Sequence, residues 1–391
     1  MKRIISIVLT LTLVLGLSGI VSAQNPGTDV SAGRGWGSYS IHGNNAEDKG
    51  EWEKSLQTAK PPQKWVTDSS LEAVKKSGID AYYTYGECAK FKSSKADGYV
   101  LDVTSTGWSA NYNPMTGKVV QSNPWGVTTT KVVPVDRGRY YTVSFKIKST
   151  LQNEITICND STVVEVGGKK LHYTKGTGKF NYTKHFHIKA YDNTDPDGAA
   201  LAVQSISATY AGKSVLQKTK DFNNLISVDS RNTDYVNVTM KVLVPNDKAD
   251  YQKKAKSPTM GIKMAYGAFL KEYADENNMK GEIEVKDFKV LAETKAAAAG
   301  KAKVKSVKVA KKKLTVKYKA SGAKKYQVQV ALKKNFKKGL KKKTTTKTKW
   351  TFKGLKAKKK YYVRVRGAKS YNGTLIWGKW SKVKKTKKIK K

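Results

Sequence analysis

Acidic residues run out early in this chain. Glu293 is the last Asp or Glu, while 36 Lys or Arg fall between Lys301 and Lys391. The formal net charge is +45, yet the first 300 residues hold 39 basic and 30 acidic side chains and are nearly balanced. So uneven a charge argues for two modules with different partners. Cysteine is almost missing too: Cys88 and Cys158 are the only two. That excludes a disulfide-rich scaffold and leaves two readings, one bridge or two separate thiols. No CxxC or Cys/His spacing of the zinc type exists. No GxSxG elbow, HExxH helix or Gly-rich phosphate loop is present, so the sequence offers no recognisable catalytic motif. Beyond the first 20 or so residues, no apolar run approaches the roughly 20 residues that a spanning helix needs.

The one long apolar run is at the start. Lys2 and Arg3 precede Ile4 to about Ile20, and Val21-Ser22-Ala23 comes next. This order reads as a secretory signal, residues 1–23, cleaved after Ala23. No Cys lies close enough behind it for lipid attachment. The expectation is a secreted, extracellular protein with no transmembrane anchor after cleavage.

The remainder of the chain is rich in strand patterns. Residues 24–78 form an irregular leading segment, with short helices expected at Glu51 to Ala59 and Ser69 to Lys76. Gly98 to Ser149 is the organising stretch. Tyr141, Val143, Phe145 and Ile147 alternate with Tyr140, Thr142, Ser144, Lys146 and Lys148, a period of two that puts them on opposite sheet faces. Tyr99, Leu101 and Val103 do the same. Further strands are expected at Ala81 to Phe91, Glu154 to Cys158, Thr162 to Val166, Lys184 to Tyr191, Tyr235 to Val244, Met260 to Tyr266 and Glu282 to Leu291. In the last, the alternation slips at Lys286-Asp287, which predicts an irregularity. Residues 294–304 (TKAAAAGKAKV) read as a linker. From 305 to 391 come short strands at Lys305 to Val309, Lys313 to Tyr318, Lys325 to Ala331, Thr348 to Phe352, Tyr361 to Arg366 and Leu375 to Lys384. The fold class is therefore all-β: an N-terminal sandwich over 24–293 and a second, immunoglobulin-like sandwich over 305–391.

Particular runs sharpen this. GYVLDVTSTGW (98–108), NPWGVTTT (123–130), DRGRYYTVSFKIKS (136–149), YVNVTMKVLVP (235–245), GIKMAYG (261–267) and GEIEVKDFKVL (281–291) resemble the family 4/9 type of carbohydrate-binding module, a jelly roll. Tyr326-Gln327-Val328-Gln329-Val330, Leu355 with Tyr361, and Trp377-Gly378-Lys379-Trp380-Ser381 resemble bacterial fibronectin type III domains. Leu355 followed by Tyr361 looks like a tyrosine corner.

Glycan binding of this kind rests on an aromatic ring lying flat on the C–H face of a sugar, with amides bonding its hydroxyls. Trp108, Tyr112 and Trp125 sit in segments rich in Asn, Ser and Gly, with Asn111, Asn113, Gln121 and Asn123 nearby. Tyr83 and Tyr85 share a parity and are groove candidates; core packing is the other reading. Tyr266 shares parity with Met260, Ile262 and Met264 and reads as core. His185 and His187 share a face without a visible third ligand, so they read as solvated or groove-lining. Asn193, Asp195 and Asp197 alternate ahead of Gly198 as in a calcium loop. Asn stands first, however, and Gln204 stands where the bidentate Glu belongs, so an ordinary polar turn is the alternative to a structural calcium.

The sequence thus points to a secreted, non-catalytic binder of a polysaccharide of the β-glucan or xylan type. Its Lys-rich module would meet an anionic cell-wall polymer or serve as a soluble spacer. Aromatics interleaved with Arg for base stacking are not evident, which argues against specific nucleic-acid binding. Two alternatives stand beside this reading: a glycoside hydrolase or its accessory subunit, and a wall-structural or adhesive protein without a glycan site.

Overall fold

A computed structural model describes residues 24–32, 36–39, 63–66, 80–84, 89–103, 109–113, 118–123, 127–151, 156–157, 163–166, 169–172, 185–191, 200–217, 224–247, 258–266 and 280–391. Every regular element among them is a β-strand. Both expected helices, and the segment 1–23, lie outside the described residues.

Two sheets carry the first core. A seven-stranded antiparallel sheet runs in the order Lys213–Ser214, Val203–Tyr210, Val236–Leu243, Arg139–Ser149, Gly281–Lys295, Gly98–Val103, Ala89–Lys95. A six-stranded antiparallel sheet runs Gly37–Tyr39, Val127–Pro134, Thr259–Tyr266, His185–Tyr191, Leu225–Ser227, Leu216–Gln217. Arg139–Ser149 lies in the middle of the larger sheet, and its alternate residues are buried along its whole length. Tyr141, Val143, Phe145 and Ile147 meet Phe186, Ile188, Met260, Ile262 and Met264 of the smaller sheet in one cluster. Burying each such side chain contributes about 1.5–3 kcal/mol, so this strand alone supplies a large share of the driving force.

The slip at Lys286-Asp287 is a β-bulge. The register with Arg139–Ser149 shifts between Lys286 and Lys289, and Asp287 adopts φ 55°. Ile283 and Val285 face the core before the bulge, and Phe288, Val290 and Ala292 after it. One extra residue thus keeps a 15-residue strand apolar on one side. The leading segment is stitched to the same strand: Gly27 N–H donates to Ala292 O (2.8 Å) and Val30 N–H to Val290 O (2.9 Å). Trp36 is buried edge-on against Tyr99 and Phe288, with ring centres 4.8 and 4.7 Å apart. Tyr266 is buried as expected, stacked on Phe186.

Lys131 is the core's unusual member. It is 1% exposed. Its ammonium donates to Ala96 O and lies 5.5 Å from the ring centre of Trp36 and 5.2 Å from that of Phe288. Burial pulls its pKa from 10.5 down to about 8, with Asp29 and Asp97 opposing. The folded state therefore holds this proton less tightly than the unfolded chain. The penalty is full below pH 8 and is relieved as pH rises from 8 to 10.5. At 1.36 kcal/mol per unit it amounts to about 3 kcal/mol. Urea unfolding measured near pH 8 and near pH 10 is expected to show the parent gaining stability relative to Lys131→Met; parallel responses would contradict this.

The second core uses residues Ala302 to Ile389. Lys303–Ala310, Lys313–Lys319 and Lys349–Phe352 form one sheet. Lys341–Thr345, Lys325–Ala331, Tyr362–Tyr371 and Thr374–Trp377 form the other, with Lys384–Lys385 also on Tyr362–Tyr371. The tyrosine corner is present: Tyr361 OH accepts the Lys356 N–H at 3.0 Å, beside buried Leu355. The first core has the same device, unforeseen, with Tyr141 OH accepting the Asp136 N–H at 2.6 Å. The expected strand Leu375 to Lys384 is broken after Trp377. There Gly378 passes so close to the linker that a Cβ would lie 2.1 Å from Ala299 O. Gly378 and Ser381 still donate to Gly367 O and Val365 O (2.8 Å each), and strand pairing resumes at Lys384–Lys385.

Two small sheets complete the described residues. Gln63–Val66 pairs in parallel with Asp80–Thr84, which is joined in turn by Ser109–Asn113 and Lys118–Asn123. The other holds Thr156–Ile157, Val163–Val166 and Lys169–His172. The expected strand Ala81 to Phe91 is two strands, Asp80–Thr84 and Ala89–Lys95, which belong to different sheets.

Candidate functional site

Six of the residues chosen from sequence, Tyr83, Asn111, Tyr112, Asn113, Gln121 and Asn123, fall on one small sheet. Tyr83 is in register with Ala110, which is in register with Gln121; the next row pairs Tyr82, Asn111 and Val120; the third pairs Ala81, Tyr112 and Val119. With neighbouring strands about 4.8 Å apart, the backbones of Tyr83, Asn111, Tyr112 and Gln121 are adjacent. Trp108, Trp125 and Tyr85 lie outside the described residues, as do Asn193, Asp195 and Asp197.

A concavity among the described residues lies where the two sandwiches meet. It is a cleft of about 760 Å3 whose polar lining is His187, Lys189, Gln204, Ser205, Asn224 and Asn372, on a floor that includes Ala190, Leu201, Val203, Ile206 and Leu216. The His187 and Lys189 side is the strand His185–Tyr191. The Gln204 and Ser205 side is the strand Val203–Tyr210. The rim residue Asn372 belongs to the second sandwich, at the tip of its Tyr362–Tyr371/Thr374–Trp377 hairpin. Asn372 and Gly373 take φ of 46° and 89° there, the left-handed pair that a tight two-residue hairpin turn requires.

That hairpin is fastened down. Asn372 Nδ2 donates to Val203 O (2.9 Å) and Gln204 Nε2 to Tyr371 O (3.3 Å). Asn246 makes a reciprocal pair with Trp377: Nδ2 to the Trp377 carbonyl and Oδ1 from its N–H, each 2.8 Å. Arg366 holds Asp247 through its two terminal nitrogens, at 3.1 and 2.8 Å. Tyr371 OH donates to Ala297 O in the connecting segment (2.8 Å), and its ring meets Tyr140 edge-on.

The chemistry of the cleft is that of hydroxyl recognition. Amides, a serine and an imidazole line it; Gln204 Nε2 is already committed to the carbonyls of Ala202 and Tyr371 and Asn372 Nδ2 to that of Val203, so those two amides offer mainly their acceptor oxygens. Burial, aided by Lys189 and Lys263, pulls His187 down to about 4, so at neutral pH it is an uncharged imidazole. Lys189 carries the cleft's positive charge, with its Nζ 5.0 Å from the ring centre of Tyr191. Among the described residues no cluster of His, Cys, Asp or Glu is arranged to hold a metal. Sequence reasoning left His187 as solvated or groove-lining and did not single out Ser205, Asn224 or Asn372, nor Gln204 as a cleft residue. These come from three segments, Gln204 and Ser205 on one strand with Asn224 and Asn372 far along the chain, and only the assembled junction brings them together.

No protein-family model matches the sequence, and no curated protein does. Among solved structures, the chain is similar to one described as "CBM4 structure and function", at 13% identity and a TM-score of 0.24, over 58% of this chain and 92% of that one. It is similar to the fn3 domain of human collagen alpha-1(XX) chain at 11% identity and a TM-score of 0.17, over 24% of this chain and 86% of that one. It is also similar to a beta-1,2-glucanase from Parabacteroides distasonis at 10% identity and a TM-score of 0.21, over 80% of this chain and only 37% of that one. Likeness this distant transfers neither a ligand nor an activity.

Proposed function

We propose that the chain is an exported, non-catalytic polysaccharide-binding protein. Its first sandwich holds a glycan chain of the β-glucan or xylan type, and its Lys-rich second sandwich associates with an anionic cell-wall polymer. The observation that carries the reading is the cleft of about 760 Å3, whose polar lining is amide, hydroxyl, neutral imidazole and the Lys189 ammonium over an apolar floor. Its size is that of small-ligand sites in general, and its mix of apolar floor and few polar groups is what orients a sugar. Trp108, Tyr112 and Trp125 are the stacking candidates read from sequence, and Trp108→Ala tests them separately from the cleft. The reading requires no cofactor; Asn193, Asp195 and Asp197 are where a structural calcium would be sought.

Affinity electrophoresis of residues 24–391 in gels holding neutral soluble glycans tests this. Retardation by one glycan class is expected. A Gln204→Ala/Asn224→Ala variant is expected to lose at least tenfold in affinity, and Trp108→Ala to lose binding if the glycan also stacks there. Release of reducing sugar would replace the proposal with a hydrolase. No retardation in any glycan would leave the adhesive reading.

A further inference from the structure

The second sandwich has two open sheet edges that face each other. Lys341–Thr345 pairs only with Lys325–Ala331, and Lys349–Phe352 only with Lys313–Lys319. Between them runs a groove of about 700 Å3 lined by Lys341, Lys342, Lys343 and Lys353 around Trp350 and Phe352. Lys341 and Lys343 stand opposite Val330 and Val328, both fully buried, so their side chains start on the inner face of the sheet. They reach across to the other edge. Lys341 Nζ donates to the carbonyls of Lys353 and Gly354 at 3.0 and 2.9 Å, and Lys343 Nζ lies 4.8 Å from the ring centre of Trp350.

Inward-pointing lysine on an edge strand is a known way to stop sheets from pairing with other chains. That accounts for one such lysine. It does not account for four lysines sharing a groove with a partly exposed indole, in a module without a single carboxylate side chain. A groove lined by one sign of charge focuses its field and gathers counter-ions of the opposite sign. An indole beside ammonium groups adds a flat surface for the carbon skeleton between the charges.

We propose that this groove is the contact site for an anionic polymer of the polyol-phosphate class, with phosphodiesters on Lys341, Lys343 and Lys353 in the groove and on Lys342 from the outer side of the same edge strand, and the polyol on Trp350. The proposal rests on the reading of the basic sandwich as the partner of an anionic surface, and it says where on that sandwich the contact is made. Bound polymer draws Lys343 off the indole, so binding changes Trp350 emission.

The experiment titrates residues 24–391 with poly(glycerol phosphate), at several salt concentrations. Two triple variants with equal loss of charge are compared: Lys341→Gln/Lys342→Gln/Lys343→Gln in the groove, and Lys333→Gln/Lys334→Gln/Lys337→Gln on an exposed loop elsewhere in the module. The groove variant is expected to bind at least tenfold more weakly than the loop variant. Its salt slope should flatten by about 2, at about 0.7 for each lost phosphate contact. In the parent, binding is expected to change tryptophan emission, and Trp350→Phe should abolish that change. Equal weakening by both triples would overturn the groove while leaving the anionic-surface reading intact. No binding by the parent would overturn both. Tighter binding of single-stranded DNA than of poly(glycerol phosphate), at matched phosphate and salt, would overturn the assignment of polymer class.

Discussion

Gly98→Ala is expected to unfold the first sandwich while leaving the second folded. Gly98 opens the strand Gly98–Val103, beside the bulged strand Gly281–Lys295. A Cβ on Gly98 would lie 2.0 Å from Val285 O and 2.9 Å from the Lys286 Cα. Both are backbone atoms on the two residues leading into the bulge, so no side chain can swing aside. Relief requires the strands to part where Phe288 N–H donates to Asp97 O (2.8 Å), which would withdraw Phe288 from the core. An effect above about 4 kcal/mol is exceptional for one methyl group and is expected here, because the clash is with buried main chain that no side-chain movement can relieve. Calorimetry of residues 24–391 checks it. The two separate cores should give the parent two transitions, of which the variant keeps only that of the second sandwich. A first transition within a few degrees of the parent's would contradict the account.

Arg366→Ala has the next largest expected effect, because one guanidinium serves three structures. It forms the fork to Asp247 across the junction, donates through Nε to Gln327 at 3.0 Å, and lies 4.4 Å from the ring centre of Trp377 and 4.8 Å from that of Trp380. Next to it, Arg364 repeats the pattern with Gln329, Trp380 and Phe336. The Arg366 side chain is only 14% exposed, so its contacts are largely shielded from water, whereas Asp247 is half exposed and tolerates the loss of its partner. Losing two ring contacts and a partly buried charge-assisted pair is expected to cost the second sandwich about 2–4 kcal/mol. It should also free the hairpin that carries Asn372, so glycan affinity should fall although Arg366 does not line the cleft. The conservative Arg366→Lys keeps charge but not the planar fork and should recover little. Unchanged stability of the second transition would show that the stack adds nothing.

Where the sequence was legible, the reason is burial on one face. Arg139–Ser149 alternates because every second residue enters the core. The bulge at Lys286-Asp287 announced itself because the apolar parity had to change there. Strands without an inward apolar set were invisible. Lys341–Thr345 reads KKKTT, and as an edge strand bordering a lysine-lined groove it needs no apolar alternation. Lys131 misleads in the other direction, since nothing in its local sequence marks a lysine that will sit between Trp36 and Phe288. The cleft was the least legible part. Its polar groups come from separate segments joined by tertiary contacts, whereas sequence reasoning weights local clusters such as 108–125. Of the stacking and amide candidates, Tyr83, Asn111, Tyr112, Asn113, Gln121 and Asn123 lie among the described residues, all on one sheet.

The most direct test of the central claim is a calorimetric titration. Residues 24–391 and the Gln204→Ala/Asn224→Ala variant would each be titrated with oligosaccharides of whichever neutral glycan retards the parent. One binding event per chain in the parent, weakened at least tenfold in the variant, is the predicted result. Equal affinity in the two proteins would contradict the placement of the glycan in the junction cleft. Absence of heat from every β-glucan and xylan oligosaccharide would contradict the claim of glycan binding itself.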